Sequence, residues 1–159
     1  MSLVPDIVES WRAPRRVLRR HMARPRSEAF LFTFLFTFLL IAFVAQAPYA
    51  ARLAHFQPEV PMPQRLFAAF LGLIATLPLW YGLAALSRLV ARALGGQGSW
   101  YGARLALFWA LVTITPGMLL MGLSLGILGQ GAQTNALGVL VGLAFLIFWI
   151  TFLREAERG

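Results

Sequence analysis

The sequence predicts an all-α integral membrane protein: a bundle of four transmembrane helices behind a basic, amphipathic N-terminal segment. Three observations predict it. Of 159 residues, 59% are hydrophobic and 13% are charged, about half the ~25% charged share of a soluble domain. Mean hydropathy is +0.72, too apolar for a water-facing surface on so short a chain. Charge is also segregated: Ala29–Ala51, Leu66–Ser87 and Leu105–Leu153 hold no charged side chain. These facts exclude disorder, a soluble nucleic-acid-binding domain and a secreted disulfide scaffold. With no cysteine, thiolate chemistry and cysteine-based metal sites are excluded too.

Residues 1–28 form the first unit. Val4, Ile7, Val8, Trp11, Leu18 and Met22 recur at three- and four-residue spacings with arginines between them. Pro14 divides the segment into two short helices and suits the first turn of the second. This pattern predicts an interfacial helix on anionic lipid, apolar face down. A plain topology signal or a partner-binding helix is the other reading. The candidate contact residues, to lipid headgroup or partner, are Trp11, Arg12, Arg15, Arg16, Arg19 and Arg20.

Residues 29–159 form the transmembrane domain. A helix rises about 1.5 Å per residue and the hydrocarbon core is about 30 Å thick, so a span needs roughly 20 residues. The first span covers about residues 29–49, with Pro48 marking its end. The second covers about 65–94, with Pro78 as a kink and Gly95-Gly96 as its stop. The third covers about 103–128, kinked at Pro116; splitting it there gives two short segments and five in all. The fourth covers about 135–153, after the polar Gly129–Asn135 stretch. Gly122 and Gly126, with Gly138 and Gly142, make two G-x-x-x-G spacings that predict close packing of the third span on the fourth.

All 14 basic residues are arginines. Twelve fall on one side: Arg12, Arg15, Arg16, Arg19, Arg20, Arg24 and Arg26, then Arg88, Arg92 and Arg104, then Arg154 and Arg158. Arg52 and Arg65 alone fall on the other. By the positive-inside rule both termini are cytoplasmic. Ala45-Gln46-Ala47 resembles a signal cleavage site, but the preceding charged region is too long and the apolar run is span-length.

The interior of the bundle lacks the groups that perform chemistry. An ion-coupled transporter needs an intramembrane acid, base or histidine, and none is present. His21 and His55 lie on opposite sides and read as solvated or headgroup-level side chains. No catalytic, cofactor-binding or metal site is expected.

Tyr81–Trp100, ending in Gly95-Gly96-Gln97-Gly98, the proline at Pro116 and the lead-in Trp11-Arg-Ala-Pro-Arg-Arg-Val-Leu18 together resemble bacterial members of the YIP (Ypt-interacting protein) family. The resemblance covers nearly the whole chain. It implies a polytopic domain with a cytoplasmic N-terminus. Eukaryotic relatives bind small GTPases in trafficking or membrane shaping, and bacterial members have no settled function. The family is usually drawn with five spans, where this chain supports four by length.

The function expected is that of a non-enzymatic protein of the bacterial inner membrane: a scaffold, an accessory subunit of a larger complex or a membrane-organising factor. Its expected partners are anionic headgroups, a membrane-protein complex or a second copy, and not nucleic acid. The competing reading is a small channel, or a transporter or scramblase of apolar or lipidic substrates, with a polar groove at Thr76, Thr113 and Thr115. The topology is testable because the chain has no cysteine. Gln97→Cys should react with a membrane-impermeant maleimide only after cells are permeabilised, and Gln130→Cys in intact cells. The opposite pattern inverts the topology.

Overall fold

The computed structural model describes residues 2–158. Its order is α1 (Leu3–Ser10), α2 (Pro14–Met22), α3 (Glu28–Phe56), α4 (Met62–Ala75), α5 (Leu77–Ala93), α6 (Trp100–Thr113), α7 (Thr115–Leu128) and α8 (Ala132–Ala156). No strand occurs among the described residues. Three segments are long and apolar enough to cross a membrane: Glu28–Phe56, Met62–Ala93 and Ala132–Ala156. The bent pair α6–α7, with 42° between its halves, makes a fourth if it is counted as one span. The protein is an all-α membrane bundle.

Prolines shape three of these segments. Pro116 has no N–H, so the Val112 carbonyl loses its donor four residues on. The Thr115 hydroxyl donates to that carbonyl instead, at 2.8 Å, and the 42° bend falls beside it. At Pro78 the chain breaks between α4 and α5, where the Thr76 hydroxyl donates to the Leu73 carbonyl at 2.6 Å. Pro48 behaves differently. It does not end α3, which runs on to Phe56. A single missing hydrogen bond is tolerated in a membrane helix whose neighbours support it, and α7 packs against this turn.

Helix α6 is the core. From Tyr101 to Thr113 every residue except Arg104 is buried, and Trp109 and Phe108 are 0% exposed. A helix apolar on all sides has no face to give to water, so other helices must cover each side. Helices α3, α5 and α8 cover three of them, and α1 and α2 pack on the rest. Helix α7 lies outside this core, against α3 and α8.

The glycine pairs are corrected by this arrangement. Gly122 and Gly126 serve the α3–α7 contact, not an α7–α8 contact. A Cβ on Gly122 would run into the Ala45 backbone of α3, and one on Gly126 would stop 2.5 Å from Pro48. Gly138 does face α7, where a Cβ would lie 3.2 Å from the Met121 methyl, whereas Gly142 has open space around it. G-x-x-x-G spacing marks a smooth face without saying which helix occupies it. Gly126→Val should therefore cost about 1–3 kcal/mol through overpacking, read as a lower Tm in detergent. Gly142→Val should leave Tm nearly unchanged. Equal losses would refute the close α3–α7 approach.

Candidate interaction site

The N-terminal arm, α1 and α2, is held as a hairpin by charge. Arg20 donates to the Asp6 carboxylate at 2.6 Å and to Glu9 at 2.9 Å. Arg16 donates to Glu9 at 2.7 Å. The hydrogen bond from Arg20 is the main reason that the Glu9 carboxyl titrates below its usual range. Trp11 and Arg12 make the turn and Ala13 caps α2, with Pro14 in the first turn of α2.

The inner face of this hairpin docks on protein. Ile7, Val17 and Leu18 are buried in the same cluster as α6. Ser10 is buried, donates to the Asp6 carbonyl at 2.8 Å and accepts from the Trp109 indole at 3.0 Å. Trp11 donates from its indole to the Thr113 carbonyl at 3.1 Å, beside the α6–α7 bend. Its ring meets Phe148 of α8 edge-on at 5.0 Å. Arg19 pairs with Glu155 at 2.7 Å, tying α2 to the end of α8. Sequence alone lays this apolar face on lipid. The structure lays it on α6 and α8, because α6 needs covering there. Val4 and Val8 point outward and are more than half exposed, and the docked Trp11 ring keeps about half of its surface open.

His21 departs furthest from its expected place. It is 0% exposed, not solvated. Its ring lies 4.4 Å from Trp109, 5.3 Å from Phe34 and 6.0 Å from Phe30. Nε2 is 3.7 Å from Asp6, and neither ring nitrogen has a hydrogen-bond partner. Burial pushes its pKa down to about 4; Asp6 opposes this shift, and Arg24 and Arg20 reinforce it. His21 therefore serves as a neutral aromatic plug. The available signal was its register with Val17 and Leu18, on the same face of α2.

Of the six candidate contact residues, the structure brings four into internal contacts: Trp11, Arg16, Arg19 and Arg20. Arg12 and Arg15 point outward and have no acidic partner among the described residues.

The glycine turn after α5 also has a receptor role. Gly95 takes φ +87°, and the Gly96 N–H closes the helix on the Ala91 carbonyl at 2.9 Å. The Glu157 carboxylate then accepts from the Gly98 N–H at 2.9 Å and from Arg88 at 2.8 Å. A Cβ on Gly98 would lie 2.5 Å from the Ala156 carbonyl. Gly95-Gly96-Gln97-Gly98 is therefore a cradle for the end of α8 as well as a helix stop.

A family model of the Yip1 domain matches residues 8–158. This chain belongs to the Yip1 family. The match begins inside α1 and reaches Glu157, so it takes in most of the arm and the whole cradle. No curated protein and no solved structure matches this Yip1 chain.

Acid should loosen the arm. Docked His21 titrates near 4 and released His21 near its ordinary 6.5, so the released state binds more protons between those values. Stability from His21 is complete above about pH 6.5 and falls as pH drops toward 4, by up to about 3 kcal/mol. The Tm of the wild type should fall between pH 7 and 4.5, while His21→Phe should be nearly flat over that range. Parallel curves would show that His21 is not the titrating group.

Proposed function

We propose that this Yip1 chain is a non-enzymatic protein of the bacterial inner membrane, with both termini cytoplasmic, that works by contact as a scaffold, accessory subunit or membrane-organising factor. The observation that carries this reading is the arm. It is folded against the spans in advance and turns Arg12, Arg15, Val4 and Val8 outward. A prefolded surface loses little ordering entropy on binding. Basic and apolar residues side by side suit anionic headgroups or a partner docked at the membrane surface.

The interior supports the same reading. The threonines that would line a polar path are spent on their own helices. Thr113 donates to the Trp109 carbonyl at 2.8 Å, Thr115 to Val112 and Thr76 to Leu73. Thr113 and Thr115 are buried. A channel or scramblase would need these groups free and wetted.

Extraction in mild detergent tests the proposal. A partner protein or tightly held lipid should co-purify with the wild type. Its recovery should fall about thirtyfold in Arg12→Gln/Arg15→Gln, given ~1 kcal/mol per surface arginine, with Tm unchanged. A solitary monomer carrying nothing that depends on the arm overturns it.

A further inference from the structure

Helices α5 and α8 both pack on α6 but not on each other. No Cα of one lies within 8 Å of a Cα of the other. Their ends are joined by the Arg88–Glu157 pair, and between them a cleft of about 580 Å³ is left open. Leu83, Leu86 and Val90 form one wall; Trp149, Ile150 and Leu153 form the other. Leu86, Val90 and Ile150 are exposed on this flank, so in a bilayer the cleft opens sideways to lipid.

One end of the cleft is cationic. Arg154 and Arg158 line its mouth, both exposed and neither paired with an acid among the described residues. The rest is apolar. Below Arg154 the facing apolar wall on α8, Trp149 to Leu153, runs about 6 Å along the helix axis. A cationic mouth beside an apolar wall suits an amphiphile with an anionic head.

We propose that this cleft is a binding site for one anionic phospholipid, with its phosphate between Arg154 and Arg158 and an acyl chain along α5 and α8. Charge complementarity selects this occupant over a second copy of the chain. The sequence has six acids. Asp6, Glu9, Glu28, Glu155 and Glu157 all pair with the chain's own arginines, and Glu59 lies in the α3–α4 loop at the opposite end. A second copy therefore brings no unpaired acidic side chain to this mouth, whereas an anionic lipid brings one phosphate per molecule. The site is separate from the outward face of the arm and does not rest on it.

Native mass spectrometry tests the proposal on the full chain, reconstituted in vesicles of equal phosphatidylglycerol and phosphatidylcholine and then released in mild detergent. One phosphatidylglycerol per chain should remain bound, without phosphatidylcholine. Arg154→Gln/Arg158→Gln should lower its retention about thirtyfold. Val90→Trp, an exposed change that fills the cleft and leaves every arginine in place, should abolish retention with Tm preserved. Equal retention of both lipids, or phosphatidylglycerol unaffected by either variant, overturns the site. Loss of the lipid in Arg12→Gln/Arg15→Gln but in neither cleft variant also overturns it and places the lipid on the arm.

Discussion

Everything in this fold answers to one demand: α6 has no face fit for water. Its fourteen residues carry Trp109, Phe108 and two leucines, Leu105 and Leu107, to zero exposure. Burying one such side chain stabilises by roughly 1.5–3 kcal/mol, so leaving a flank of α6 open at a polar surface would cost several times that. Three spans leave a flank open, and the arm closes it. The Ser10–Trp109 and Trp11–Thr113 bonds then satisfy two indoles that the closure buries or half-buries. The arm is thus part of the core, although its sequence is the most charged in the chain.

Arginine does two jobs around that core. Part of it is consumed internally: every acid outside the α3–α4 loop is held by an arginine of the same chain. The remainder has nothing internal to neutralise it. That surplus is what the net +8 measures. It gathers in the N-terminal arm and near the ends of helices.

The spans were legible in the sequence because hydrocarbon excludes charge, so every charge-free run of sufficient length reports a helix. The bend at Pro116 was legible for an equally local reason, a missing N–H. What stayed illegible depends on a partner far along the chain. His21 in an arginine-rich segment reads as solvated until Trp109 and Phe34 are placed around it. The Gly122–Gly126 face reads as smooth, but only the fold shows that α3 fills it. Pro48 reads as a terminus because its local cost is visible and the support from α7 is not. The glycine cradle hid for the same reason: Glu157, its occupant, lies about sixty residues on.

The arm's contacts have a consequence for biogenesis. Trp11 waits for Thr113 and Arg19 waits for Glu155, so α1 and α2 find their seats on helices made well after them. Until α8 is threaded, the nascent chain carries an unseated hairpin with a bare apolar face, and loop closure over such separations is slow. Seating of that hairpin is a built-in completion mark: chains stalled or cleaved before α8 keep the face open to chaperones and proteases, and finished chains withdraw it.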